Sequence, residues 1–267
     1  MKTVRQLTNL KDRVALVTGG AGYIGSAICD ALAENGAGIA IIDCNKERSF
    51  EVCEQITRDY GVDALPFVID LTDEKKLRKV PKIVLKQFDS IDILVNCAAL
   101  VGTSSLKGWG VGFNQQNADT WRLALETNLT APFILTQASS EALIQSLHGS
   151  VININSIYGI MGPDMRLYEG TTMGNPAAYA ASKGGLIQLT RWLATVLSPY
   201  VRVNTITLGG VYRQQTEPFL SKYVEKTPLR RMASEEDIKG AAVFLASDLS
   251  NYVTGHNLVV DGGFSVW

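Results

Sequence analysis

The chain has 267 residues, 46% apolar and 19% charged, and 25 basic against 26 acidic side chains leave a net charge of −1. That composition fills a large core, and with no basic tract it argues against a nucleic-acid partner. The opening MKTVRQLTNLKDR has no apolar leader block, and no apolar run reaches the roughly 18 residues that span a membrane, so a soluble cytoplasmic protein with no membrane partner is expected.

Val14-Ala15-Leu16-Val17 is a short apolar run between charge and glycine, the pattern of a buried parallel strand. Thr18-Gly19-Gly20-Ala21-Gly22-Tyr23-Ile24-Gly25 then turns the chain into a helix reaching about Asn35. Glycines let backbone N–H groups approach a phosphate, and a helix N-terminus adds partial positive charge. A purely structural turn is the alternative for such a loop taken alone. The next strand, Gly38 to Ile42, ends in Asp43, 18 residues after Gly25. A carboxylate there accepts hydrogen bonds from an adenosine ribose and repels a 2′-phosphate, which favours NAD over NADP. Lys46 and Arg48 keep NADP open, and Asp43 is alternatively a helix cap, a task Asn45 can also perform.

Lys46 to Asp59 reads as a helix, and Ala64 to Ile69 as a strand ending at Asp70, a carboxylate placed for an adenine amino group. Asp73 or Thr72 can cap the following helix, residues 73–88, which Pro81 would kink. Ile91 to Val95 is the fourth strand. Asn96-Cys97-Ala98-Ala99 follows, with side chains small enough to leave room for a flat ring or a ribose. Residues 100–117 read as a mobile loop, and Ala118 to about His148 as a long helix. Asn128 falls in its interior, a mildly unfavourable place where a surface or locally satisfied asparagine is the default.

The fifth strand, Val151 to Asn155, delivers Ser156 at its carboxyl end, and a helix from Ala177 to Leu197 carries Tyr179 and Lys183. Residues four apart share a helix face. An ammonium beside a phenol favours the phenolate and lowers its pKa from about 10. A strand-end hydroxyl can hold a substrate oxygen while the tyrosine moves the proton. Lys183 can also hold a sugar hydroxyl of a cofactor. Of nine tyrosines, only Tyr179 has a lysine or arginine four residues on, but an isolated pair of this kind is commonly a surface feature. Its weight comes from the nucleotide site.

Val201 to Ile206 is the sixth strand, and Leu208-Gly209-Gly210-Val211 opens a polar loop to about Pro228 that resembles a lid. Ser234-Glu235-Glu236-Asp237 caps a helix to Ser247, and Asn257 to Val260 is a final strand. Cys29, Cys44, Cys53 and Cys97 lack paired metal spacing, and His148 and His256 lie far apart, so reduced thiols and no metal site are expected. The alternation predicts an α/β chain: one Rossmann-like domain over 1–267, a doubly wound parallel sheet with helices on both faces. Ligands of such sheets sit beyond the carboxyl ends of the strands. Gly19, Asp43, Asp70, Asn96, Ser156 and Gly209 all fall there.

With these placements the chain resembles the short-chain dehydrogenase/reductase family, compact single-domain type, from Val14 to Gly263. The ordered set that carries the resemblance is the glycine loop 18–25, Asp70, Asn96-Cys97-Ala98-Ala99, Asn128, Ser156, Tyr179 and Lys183. It implies Tyr179 as general acid/base, Ser156 as partner of the reacting oxygen, and Lys183 as holder of the nicotinamide ribose and tuner of Tyr179. Asn128 would anchor a water linking Lys183 to solvent. Cofactor contacts are implied at Gly19, Gly22, Tyr23, Ile24, Asp43 and Asp70, and further at Leu71, Asn96, Ala98, Gly209 and Val211 beside Tyr179 and Lys183. A homotetramer or homodimer is implied as well.

The chain also departs from the family pattern. Tyr23 stands where compact members usually place glycine, Leu208 where proline is usual, and Arg213 where a threonine often touches the cofactor. Cys97 and Ala99 replace an asparagine and a glycine. TGGAGYIG looks more like the extended, nucleotide-sugar-modifying branch, but the 84 residues after Lys183 are too few for that branch's substrate domain. The 23-residue spacing from Ser156 to Tyr179 is longer than is common, and the insertion near Pro163 to Asn175, within 157–175, lies over the expected substrate cleft. Together with the YEGTTM run and the VDGGFSVW ending, it is similar to dehydrogenases of bacterial surface-sugar and flagellin-glycosylation pathways. That resemblance implies a small-molecule substrate, a carbohydrate or sugar phosphate, met by Tyr158, Arg166 or Arg213. The expected activity is reversible hydride transfer between NAD(H) and a secondary alcohol or ketone. A 3-oxo reductase and a catalytically silent NAD-binding module are the alternatives, and a binder needs no proton relay.

Overall fold

Runs of branched aliphatic residues, too short for helices and flanked by glycine or charge, form the seven strands. The computed structural model describes residues 1–101 and 106–267. The strands are β1 (Val14–Thr18), β2 (Gly38–Asp43), β3 (Ala64–Val68), β4 (Ile93–Asn96), β5 (Ser150–Ser156), β6 (Arg202–Leu208) and β7 (Asn257–Val260). All pair in parallel, in the order β3-β2-β1-β4-β5-β6-β7. β1 and β4 are buried along their full length because helices cover both faces.

The helices are α1 (Val4–Leu7), α2 (Tyr23–Glu34), α3 (Lys46–Tyr60), α4 (Glu74–Leu77), α5 (Val80–Phe88), α6 (Ala118–Leu125), α7 (Ala131–Gln145), α8 (Ala177–Val196), α9 (Phe219–Lys226) and α10 (Glu236–Ala246). Alternate strand residues enter different layers, as a period of two requires. Ala15 and Val17 pack with Ile28 and Leu32 of α2, Ile56 of α3 and Leu245 of α10. Val14 and Leu16 pack with Val84 of α5, Leu135 of α7 and Leu193 of α8. Each fully buried branched side chain contributes about 1.5–3 kcal/mol. The chain leaves β1 toward β2 on one side and crosses to β4 on the other, so the loops after β1 and β4 diverge and open a crevice at the carboxyl edge.

Three expectations about elements need correction. Residues 73–88 are two helices, not one kinked helix: Pro81 lies in the first turn of α5, where its missing N–H costs nothing. The long helix over 118–148 is interrupted by a π turn at Glu126–Thr130, with Asn128 at its centre. Asp237 rather than Ser234 supplies the polar contact at the start of α10, its carboxylate accepting from the Ser234 backbone N–H at 2.7 Å. Of the loop expected over 100–117, residues 102–105 lie outside the described residues. The rest contains Trp109, which is buried and donates its indole N–H to the Val101 carbonyl at 2.6 Å. Among the described residues no helix is long and apolar enough to cross a membrane.

Candidate active site at the strand ends

The turn after β1 is built for close approach. Gly19 has φ +66°, and a Cβ there would lie 2.8 Å from the Ala98 Cα; a Cβ on Gly25 would lie 2.0 Å from the Gly19 carbonyl oxygen. Thr18 clamps the two loops from below, its hydroxyl accepting from the N–H groups of Cys97 at 3.0 Å and Ala98 at 3.2 Å. α2 begins at Gly22 with no side-chain cap, so its first N–H groups keep their capacity for an anion. Tyr23 is exposed and Ile24 is half-buried against the core.

Asp43 stands at the end of β2, its carboxylate accepting from Ala21 N–H at 3.2 Å and Asn45 N–H at 3.0 Å. Capping of α3 falls to Asn45, which accepts from Arg48 N–H at 3.0 Å, and leaves Asp43 facing the glycine turn. Asp70 is exposed two residues beyond the end of β3 and accepts from the Thr72 N–H and hydroxyl, while Asp73 caps α4. Leu71 packs on the α5 and α7 side of the sheet. An uncapped helix terminus, a cradle that a Cβ would fill and a carboxylate at the next strand end together fit a dinucleotide.

Ser156, Tyr179 and Lys183 meet beside that crevice. Ser156 is buried at the end of β5, and Lys183 is 3% exposed, with its Nζ donating to the Ile154 carbonyl at 2.8 Å and lying 5.9 Å from the centre of the Tyr179 ring. Burial holds Lys183 down at about 8, against an opposing contribution from Cys97. Burial pushes the Tyr179 phenol up, and the neighbouring Ser156 hydroxyl works against it. The lowering by Lys183 expected from their spacing is not what dominates: burial is the larger effect, and the ammonium donates to a backbone carbonyl.

Asn128 is buried and holds this corner together. Its Oδ1 accepts from Leu100 N–H at 2.7 Å, and its amide donates to the Leu100 carbonyl at 3.1 Å and the Ser182 hydroxyl at 3.1 Å. Ser182 in turn donates to the Tyr179 carbonyl at 2.8 Å. One side chain thus ties the exit of β4 to the turn of α8 that carries Tyr179 and Lys183. The surface placement that is the default for such an asparagine is excluded, and the π turn is what aims it inward.

The segment between Ser156 and Tyr179 folds over the site. Tyr158 donates its N–H to the Ser156 hydroxyl at 3.2 Å, and its phenol meets that of Tyr168 at 2.7 Å. Tyr168 packs on Phe219 of α9 at 5.4 Å, Phe219 on Tyr223 at 5.7 Å, and Tyr223 stacks on Phe264 at 4.6 Å. This ring chain joins the segment after β5, α9 and the C-terminal segment. Tyr168, Phe219, Tyr223 and Phe264 were missed in the sequence. Tyr168 lies in the YEGTTM run, but nothing in its spacing shows which phenol it meets.

Other candidates sit elsewhere. The Asn96 amide turns into the core, donating to Asn153 Oδ1 at 2.8 Å. Gly209 packs against Asp261, where a Cβ would lie 2.9 Å from the Asp261 Cα, and Val211 bridges Ala233. Arg166 is exposed and paired with Asp164 through two bonds of 2.8 Å. Arg213 lies over the Tyr23 ring at 4.5 Å and pairs with Glu235 at 2.8 Å. Tyr23 and Arg213, from the glycine turn and the loop after β6, therefore touch. A cavity of about 280 Å³ lined by Trp109, Phe113, Trp121 and Pro176 opens beside the start of α8, but Ser156, Tyr179 and Lys183 do not line it.

Comparison with known proteins extends over the same span. A family model described as enoyl-(acyl carrier protein) reductase, adh_short_C2, matches residues 19–265. Post-translational flagellin modification protein A of Campylobacter coli is 31% identical over 260 residues, covering 96% of this chain and 100% of the relative. The 3-oxoacyl-(acyl-carrier-protein) reductase FabG of Aquifex aeolicus (strain VF5) is 33% identical over 259 residues, covering 95% and 98%. The crystal structure of a gluconate 5-dehydrogenase from Burkholderia cenocepacia J2315, in complex with NADP and tartrate, superposes with a TM-score of 0.87 at 28% identity, covering 99% of this chain and 100% of that one.

Proposed function

The chain belongs to the short-chain dehydrogenase/reductase family of oxidoreductases, and from that premise we propose that it is an NAD-dependent dehydrogenase acting on a secondary alcohol of a carbohydrate or sugar derivative. The observation that carries the reading is the convergence of the buried Ser156 and Lys183 with the half-buried Tyr179, next to an uncapped helix terminus. Bound nicotinamide would accept or return the hydride. Ser156 holds the reacting oxygen by a hydrogen bond, and Tyr179 takes the hydroxyl proton during oxidation or donates it during reduction. Lys183 supplies positive charge that favours the Tyr179 phenolate and donates to the nicotinamide ribose. Asn128 acts by fixing the α8 turn; both its amide hydrogens are used, so a water it anchors binds Oδ1 or the Asn128 backbone.

Two features support the sugar class. Tyr158, whose backbone N–H donates to the Ser156 hydroxyl, pairs its phenol with that of Tyr168, and such phenols offer hydrogen bonds to hydroxyl groups that an acyl chain would not use. The gluconate 5-dehydrogenase, whose structure is similar, is in keeping with it. The preference for NAD rests on Asp43, whose charge opposes a 2′-phosphate. Residues 1–267 serve as one domain, with a substrate loop at 157–175 and a lid at 208–228, in a cytoplasmic homotetramer or homodimer.

The test is NADH or NADPH production by the purified protein, given NAD or NADP with sugars, sugar phosphates, nucleotide sugars and simple secondary alcohols. Turnover on one sugar class with NAD, abolished by Tyr179→Phe, is the expected result. In the reverse assay, with NADH or NADPH and keto compounds, reduction of 3-oxo compounds alone would replace the sugar reading with the 3-oxoacyl one. Tight NADH binding without turnover in either direction would leave a silent binding module.

A further inference from the structure

We propose that Arg213 and Tyr23 form a latch across the diphosphate groove that retains the bound dinucleotide. The inference rests on the dinucleotide reading above and is independent of the substrate. Tyr23 is the first residue of α2, so its backbone belongs to the helix end that would receive the diphosphate, while its ring projects outward and is 71% exposed. Arg213 comes from the opposite side of the groove, in the strap that follows β6. It reaches over the glycine turn and places its guanidinium 4.5 Å from the centre of that ring.

The strap is anchored so that this reach is reproducible. Tyr212 N–H donates to the Ala233 carbonyl at 2.8 Å, and Ala233 N–H donates to the Gly210 carbonyl at 3.0 Å. Arg213 N–H donates to Gln215 Oε1 at 2.7 Å, and the Gln215 amide returns to the Val211 carbonyl at 2.9 Å. The guanidinium spends one nitrogen, Nη1, on the Tyr212 carbonyl at 2.6 Å and on Glu235 at 2.8 Å. Nε and Nη2 have no protein acceptor among the described residues.

A guanidinium resting over a ring, with Nη1 spent on a carbonyl and a carboxylate and its other nitrogens open, can donate to a phosphate oxygen while the ring contact holds it across the groove. Glu235 restrains it without quenching it, since the carboxylate is itself partly solvated. A sugar-phosphate contact is the other use for a cation here. However, Arg213 lies over the start of α2, whereas Ser156 and Tyr158 mark the substrate wall at the end of β5.

The experiment is stopped-flow release of NADH, followed by its fluorescence, from the full-length wild-type protein and from Arg213→Ala, Arg213→Lys, Tyr23→Ala, Tyr23→Phe and the Arg213→Ala/Tyr23→Ala double variant. The latch requires release about tenfold faster in Arg213→Ala and several-fold faster in Tyr23→Ala. Tyr23→Phe, which keeps the ring, should release like wild type, and Arg213→Lys should fall between. The double variant should be no faster than Arg213→Ala alone, because each residue acts through the other. Thermal unfolding without NADH should stay near wild type in every variant, which separates a latch from a folding defect. Unchanged release in Arg213→Ala, with substrate KM raised instead, would overturn the latch and restore the substrate contact. Wild-type protein that binds no NADH would overturn the dinucleotide reading, and the latch with it.

Discussion

Around β1 and β2, aliphatic residues such as Ile28, Leu32, Ile41 and Leu245 interlock across β1, which is buried from end to end, and the buried middle of β2. Beyond the end of β5 the material changes. Tyr158, Tyr168, Phe219, Tyr223 and Phe264 form a chain of successive ring contacts, the two tyrosines Tyr158 and Tyr168 partly buried against a small buried cluster. The first region is close-packed and periodic, so it holds backbone N–H groups and glycines in place for a ligand part common to many enzymes. The second is a short chain of rings with polar tips, which can be exchanged piece by piece without disturbing the sheet. On the proposed reading, that difference in packing separates a cofactor half from a substrate half.

The sharpest way to separate the halves is to remove chemistry while leaving both intact. Tyr179→Phe should lower turnover by about 10³-fold, the scale of general acid–base catalysis, with NADH affinity within about twofold of wild type. Turnover within tenfold of wild type would deny Tyr179 the proton transfer. An assault on the cofactor half comes next. Gly25→Ala puts a Cβ 2.0 Å from the Gly19 carbonyl oxygen. It should cost about 3 kcal/mol in urea unfolding and weaken NADH binding, since backbone and not a flexible side chain has to yield. Wild-type stability would mean that the turn is looser than its geometry indicates.

A smaller effect is expected on the substrate side. Phe219→Leu removes two ring contacts, at 5.4 and 5.7 Å, worth about 0.5–1.5 kcal/mol each. It should raise substrate KM about fivefold and leave NADH affinity unchanged. An equal loss in both would show that the halves are coupled.

The mildest probe is pH. Lys183 sits at about 8 in the folded chain, below the value near 10.4 of an unfolded lysine, so the unfolded state binds more protons between these pH values. Stability contributed at this site should therefore rise with pH across that window, and Lys183→Met should remove the rise in urea midpoint. In the same way, burial that raises Tyr179 predicts that oxidation speeds up with increasing pH above neutrality, as the phenol becomes able to accept a proton.

Much of the cofactor half was readable from short-range pattern. The strand-ending positions of Thr18, Asp43 and Ser156 follow from apolar runs that stop, and Asn45 was available as the cap that releases Asp43. Pro81 was misjudged because a proline in the first turn of a new helix and one inside a continuing helix share the same apolar spacing. Asp70 was placed at a strand end, yet β3 stops at Val68 and the carboxylate folds onto Thr72. Asn96 was counted toward the cofactor by its place in the chain, but its side chain points to Asn153, a partner supplied by β5.

By itself the sequence determined the alternation of strands and helices, the glycine turn and the joint position of Tyr179 and Lys183 on one face. These are consequences of periodicity, backbone sterics and residue spacing, all of which act over a few residues. Only the tertiary structure decided that Asn128 is buried at a π turn and bonded to Leu100 and Ser182, that Tyr158 meets Tyr168, and that Arg213 lies on Tyr23. Each of those contacts joins residues from different elements. Which donor finds which acceptor is settled by how the layers pack, since burial leaves a polar group no water to fall back on and forces it to the nearest partner the fold supplies.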